Sequence, residues 1–179
     1  MSNLDAHDII CKIGECVVAG GVRRSALISL SDLDDEQIRD AKSGQFWMSE
    51  PQRMLSNNSA VYETKPTTVE FMEEWISLMK SGSGERGIFN RGSLATQLPK
   101  RRLEKWAGMN YFDPSTGRIT GLPGTNPCGE IILKSKQFCN LSEVVARAED
   151  TEETLMKKMR IAAILGTYQS TLTKFGYLS

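Results

Sequence analysis

The sequence predicts an α/β fold with parallel-type strand pairing. Segments with apolar residues at helical spacing alternate with short β-branched or aromatic runs, the pattern of helices packed on a mostly parallel sheet. Clusters of Gly, Pro, Asn, Asp and Ser separate these segments and mark the turns between them. At 179 residues the chain is long enough to bury a core, and no repeat, low-complexity tract or clear internal linker divides it.

The first helix is expected over 4–19, with Ile9, Ile10, Ile13, Cys16 and Val17 at helical spacing and Asp5 three residues after Ser2 as a start signal. Cys11 and Cys16 are read here as small core or flanking residues. The segment Gly20-Gly21-Val22-Arg23-Arg24-Ser25-Ala26 ends that helix; its two glycines permit a tight turn, and its two guanidinium forks suit phosphate or base edges. By itself this run also fits a solvated loop. A strand follows over 27–30, then an acidic helix over 34–42 whose charges are read as a solvated face.

From Phe46 a loop is expected to run to Ser56-Asn57-Asn58-Ser59, adjoining a strand at 60–62. Small polar residues at a strand end can be ligand contacts or an Asx-rich turn. Thr67 or Thr68 caps a helix over 69–80, whose Phe71, Met72, Trp75, Ile76 and Met79 stripe is read as core. Ser81 to Gly87 breaks that helix, and 88–90 reads as a strand. Lys100 to Trp106 reads as a basic surface helix, 110–121 as two short extended pieces about an Asp-Pro-Ser-Thr-Gly turn, and 152–173 as a last helix capped by Thr151.

Charge is balanced, 22 basic against 22 acidic residues, which gives no electrostatic footprint for a nucleic acid polymer or an anionic membrane. No apolar run approaches the roughly 20 residues that span a bilayer, and the N-terminus is polar, so a soluble, cytoplasmic protein is expected. In a reducing compartment the cysteines at 11, 16, 128 and 139 are free, catalytic or metal-binding rather than a disulfide framework. Their spacing and the single histidine make a zinc site improbable, and no metal ligands are assigned.

The chemistry concentrates at Thr125-Asn126-Pro127-Cys128-Gly129-Glu130-Ile131, followed by Phe138-Cys139-Asn140-Leu141-Ser142. Pro127 biases Asn126 toward extended backbone, and extended backbone alternates faces. Asn126, Cys128 and Glu130 are therefore expected to point one way from a loop held out from a scaffold. A carboxylate beside a thiol opposes ionisation of the sulfur, which suits hydrogen-atom transfer better than nucleophilic attack. The plainer reading of the same residues is a turn around a buried structural cysteine.

These two segments resemble the active-site region of ribonucleotide reductases, and their short Cys128–Cys139 gap is most similar to the monomeric, adenosylcobalamin-dependent ribonucleoside-triphosphate reductases. Gly20 to Ala26, Asn57-Asn58-Ser59-Ala60-Val61-Tyr62 and Ser83-Gly84-Glu85-Arg86-Gly87-Ile88-Phe89-Asn90-Arg91 also resemble segments of that family, in family order. The resemblance implies a ten-stranded α/β barrel with the radical cysteine on a central finger loop, of which residues 1–179 form a partial catalytic domain incomplete at both ends.

The resemblance further implies that Cys128 becomes a thiyl radical through adenosylcobalamin and takes the 3′ hydrogen of a ribonucleoside triphosphate. Glu130 acts as base on the 3′ hydroxyl, Asn126 holds the sugar, and Cys139 supplies reducing equivalents as half of a dithiol pair. A thioredoxin-like partner then reduces that pair. Gly20, Gly21, Arg23, Arg24 and Ser25 resemble the loop linking a deoxynucleotide effector to the substrate base, and Asn57, Asn58 and Ser59 a substrate-side segment. The family's partner to Cys139 has no match here, so the isolated chain is expected to need complementary segments of the enzyme. A non-catalytic nucleotide-binding or assembly module on the same scaffold is the rival reading.

Overall fold

The computed structural model describes residues 1–17, 25–172 and 174. The chain forms two compact units, Met1–Gln137 and Phe138–Ser179.

In the first unit, helix α1 (Asn3–Glu15) opens with the anticipated capping box: Ser2 Oγ accepts from the Asp5 N–H, and the Asp5 carboxylate accepts from the Ser2 N–H. Strand β1 (Leu27–Ser31) follows, then the short helices α2 (Glu36–Arg39) and α3 (Phe46–Ser49) and a 3-10 turn (Pro51–Leu55). Strand β2 (Ser56–Val61), helix α4 (Thr68–Ser81) and strand β3 (Gly87–Phe89) complete a three-stranded parallel sheet in the order β1-β2-β3. The expected α/β class and parallel pairing are observed.

The rest of this unit comprises a 3-10 turn (Arg91–Ser93), the helices α5 (Leu94–Gln97) and α6 (Lys100–Ala107), and two small antiparallel hairpins. One joins β4 (Phe112–Asp113) to β5 (Arg118–Ile119) through the anticipated turn; the other joins β6 (Gly124–Thr125) to β7 (Ile132–Leu133). Trp106 of α6 is buried and packs against Tyr111, ring centroids 5.7 Å apart.

Several sequence expectations fail for physical reasons. Ser56, Asn57, Asn58 and Ser59 lie within β2 rather than in a loop before it, because buried polar partners satisfy that end of the strand. Lys42, read as solvated, is buried and donates to the Ser56 carbonyl and, at 2.8 Å, to Glu85. The α4 stripe is not core: Phe71, Met72, Trp75, Ile76 and Met79 are exposed, whereas Glu74 is buried. Arg86 draws Glu74 inward with two bonds, 2.9 Å from Nε and 2.7 Å from Nη2, and this buried pair orients the helix in place of its apolar face. Likewise α1 exposes Ile9, Ile10 and Ile13 and buries His7 and Cys11, which lie 3.7 Å apart. Cys16, beyond the helix end, is exposed.

The second unit is helix α7 (Glu152–Ser170) with an irregular segment at 138–149 preceding it. Thr151 caps α7 as expected, accepting from the Thr154 N–H, and Lys158 returns to the Asp150 carboxylate. Asn140 Nδ2 donates to the Gly166 carbonyl at 3.0 Å, tying the segment to the helix. Among the described residues, no helix is long and apolar enough to cross a membrane.

Candidate functional site

The run 126–131 is the loop of the β6–β7 hairpin, and it is not extended. The Gly129 N–H donates to the Asn126 carbonyl at 3.0 Å, closing a four-residue turn with Pro127 and Cys128 at its centre. Asn first, Pro second and Gly fourth is the favoured composition of a type I turn. Gly129 leaves that turn at φ +87°, a left-handed conformation that glycine adopts without steric cost. The proline-imposed extension of Asn126 is thus followed at once by a reversal, which removes the expected period-two alternation.

Asn126 holds the loop closed. Its N–H donates to the Ile131 carbonyl at 3.2 Å, and its side-chain Oδ1 accepts the Ile131 N–H at 3.0 Å. With the Asn126 main-chain carbonyl engaged by Gly129, the side-chain oxygen takes the place that a carbonyl would fill in a regular hairpin. Asn126 is buried, while Cys128 and Glu130 are exposed at the tip. The plainer reading of Cys128 as a buried structural residue does not hold.

Side chains from three other elements grip the hairpin by its backbone. Arg91, buried and paired with Glu63, donates from Nε to the Pro123 carbonyl at 2.8 Å. Arg102 of α6 lies over the Trp106 ring at 5.2 Å and donates to the Ile132 carbonyl. Asn57 of β2 donates from Nδ2 to the Pro127 carbonyl at 2.7 Å. Parallel register pairs Ile28 with Asn57 and Leu30 with Ser59, which puts these four on one sheet face. Gly124 sits against the same face, where an added Cβ would lie 3.3 Å from Leu30 Cδ1.

Asn58 points to the opposite side, where it is buried and accepts from Ser56 Oγ at 2.9 Å; its backbone N–H donates to Glu85 at 2.8 Å. Ser59 is half-buried, with its hydroxyl beside Gly87. Asn57, Asn126, Cys128 and Glu130 are therefore gathered by the hairpin and the sheet face, and Asn58 is not among them. Cys139 is half-buried in the second unit. Ser25 is half-buried with its hydroxyl beside Gly14, whereas Gly20, Gly21, Arg23 and Arg24 lie outside the described residues. No group of three or more His, Cys, Asp or Glu residues is gathered for a metal ion among the described residues.

Sequence reasoning missed the two arginines. Arg91 belongs to a segment recognised without an assigned role, and Arg102 lies in a stretch read as surface; neither has a local signal for a distant carbonyl partner.

Over 144 residues, 80% of the chain, the sequence is 35% identical to a protein of Lacticaseibacillus paracasei named adenosylcobalamin-dependent ribonucleoside-triphosphate reductase. The chain is a homologue of part of that reductase. Proteins of the same name from Lactobacillus leichmannii and Levilactobacillus brevis are 34% and 32% identical, again over 80% of the chain. The chain spans 17–18% of the length of these curated reductases. No family model matches the chain, and no solved structure matches it.

Proposed function

We propose that the chain is an internal slice of a ribonucleotide reductase catalytic barrel, with the β6–β7 hairpin as its finger loop and Cys128 as the residue that carries the thiyl radical. The observation that carries this reading is the exposed Cys128–Glu130 tip on a hairpin braced from three directions, in a chain homologous to these reductases. A braced, exposed sulfur can meet a sugar held outside the hairpin at a fixed distance, which hydrogen-atom transfer requires.

In this reading Cys128 abstracts the 3′ hydrogen of a ribonucleoside triphosphate, and Glu130 takes the 3′ hydroxyl proton. Asn126 keeps Oδ1 on the Ile131 N–H and offers its Nδ2 amide, which makes none of the bonds described, to the sugar. The 2′ hydroxyl departs as water on taking a proton from the dithiol of Cys139 and a cysteine outside this chain. That pair delivers two electrons and its second proton to the sugar and ends as a disulfide, later reduced by a thioredoxin-like protein, while Cys128 returns its hydrogen atom to the 3′ carbon and Glu130 its proton to the 3′ oxygen. Ser25 and the preceding Gly20–Arg24 stretch couple a deoxynucleotide effector to the substrate.

Adenosylcobalamin, when bound, supplies the one-electron chemistry that generates the cysteine radical. The exposed sulfur fits attack by a cofactor bound outside the hairpin, and no residue of this chain is assigned to holding it.

The reading is tested in a reductase reassembled from this chain and its complementary segments, by recording the cobalt(II)–thiyl resonance and deoxynucleotide formation. Cys128→Ala is expected to abolish both and to leave the fold intact, and Cys139→Ser to allow at most about one turnover per enzyme. Wild-type levels of either signal in Cys128→Ala would overturn the assignment. The chain alone is expected to show no sustained turnover in a steady-state assay.

A further inference from the structure

Resting on the reading of Cys128 above, we infer that Asn57 is a positioning residue that aims the Cys128 turn, rather than a contact to substrate. Its amide donates at 2.7 Å to the carbonyl of Pro127, the peptide group joined directly to Cys128. Only two torsions, φ and χ1 of Cys128, separate that peptide from the sulfur: tilting the Pro127 carbonyl swings the Cys128 N–Cα bond, and with it the Cα that carries the thiol. A donor fixed on this carbonyl therefore sets the direction of the sulfur more directly than the anchors at Pro123 and Ile132, which lie at the hairpin's base.

Asn57 can act in this way because its own backbone is held on both sides. Lys42 donates to the Ser56 carbonyl before it, and Glu85 accepts the Asn58 N–H after it. Lys42 and Glu85 pair with each other at 2.8 Å, and Lys42 is buried. Ser56 Oγ and Asn58 Oδ1 close the same side at 2.9 Å. The ion pair fixes the β2 backbone at Ser56 and Asn58, and strand alternation delivers the Asn57 amide to the face opposite their buried side chains. This gives the Ser-Gly-Glu-Arg-Gly segment a task, since its Glu85 secures the strand end from which Asn57 reaches the hairpin.

The test uses the full chain carrying Asn57→Ala or Asn57→Asp, the latter replacing the donor with a carboxylate of the same shape that repels the Pro127 carbonyl. Iodoacetamide labelling is followed peptide by peptide, with exposed Cys16 as the internal reference. Because Cys128 is already exposed, releasing its direction is expected to change its labelling rate, in either sense, by about two- to tenfold, the equivalent of one hydrogen bond of ordinary strength, with Cys16 unchanged. An unchanged Cys128 rate in both variants overturns the inference, as does a parallel rise at both cysteines, which signals general loosening.

In the reassembled reductase the same variants are expected to lower kcat and to leave KM in place. A raised KM with kcat held would make Asn57 a substrate contact and overturn the inference. If the wild-type assembly forms no deoxynucleotide, the functional reading falls, and the labelling result alone decides the role of Asn57.

Discussion

The two cysteine-bearing segments at Cys128 and Cys139 are built on opposite plans. Around Cys128 every few residues of backbone are engaged: Asn126, Gly129 and Ile131 donate within the loop, and Asn57, Arg91 and Arg102 take carbonyls from outside it. Around Cys139 the chain from 139 to 146 shows no donated backbone N–H bond among the described residues; it is tied to α7 by the side chain of Asn140 and by Lys158, which donates to the Val145 carbonyl at 3.4 Å. The first segment carries its geometry within its own unit. The second is irregular backbone held to its helix by side chains.

Hydrogen exchange offers the sharpest way to break this contrast. The amides of Asn126, Gly129 and Ile131 are expected to exchange about a hundredfold more slowly than those at 139–146, and equal rates would erase the distinction. Next in size is Arg91→Ala, which removes a charged donor from the Pro123 carbonyl. Unfolding in urea should show a loss of about 1.5–3 kcal/mol, the range for a hydrogen bond to a charged group. Asn126→Ala should cost about 1–2 kcal/mol by unmaking the Ile131 cap, with faster exchange at Ile131 as its local signature. Asn140→Ala should change the first unit's unfolding midpoint not at all.

The smallest effect expected is a pH dependence confined to the first unit. Burial holds His7 below the ordinary histidine value, opposed by Asp8 and Glu85 and assisted by Arg53 and Lys42. Below about pH 6.5 the unfolded chain takes a proton that the folded chain refuses. The stabilisation is therefore complete above that pH and is lost as the pH falls toward the folded value. Thermal unfolding at pH 7.5 and 5.5 checks this, and His7→Gln should flatten the difference. Asp8 adds to the same slope at more acidic pH, because its bonds to Arg53 hold its carboxyl below the usual range.

How much of this was legible in the sequence depended on whether local chemistry or distant partners set each feature. The capped starts of α1, α4 and α7 could be read because the cap and its return partner lie three residues apart. The parallel sheet followed from alternating element types. The orientation of α4 could not be read, because Arg86 pulls Glu74 inward against the apolar pattern of the helix. The conformation at Cys128 was missed for a related reason. Pro127 speaks for extension, but Gly129 and the side chain of Asn126 turn the chain back, and only together do they specify a reversal. The grouping of Asn126, Cys128 and Glu130 was visible as a motif, whereas Arg91 and Arg102 could be found only once the hairpin had a place.

The anchors on the hairpin share one property: each binds an oxygen of the main chain, at Pro123, Pro127 or Ile132, and none depends on which side chain the hairpin carries there. The scaffold grips the ribbon and ignores its lettering. Residues at the tip can accordingly be exchanged, a serine for the sulfur or a glutamine for the acid, while the perch that carries them stays where it is.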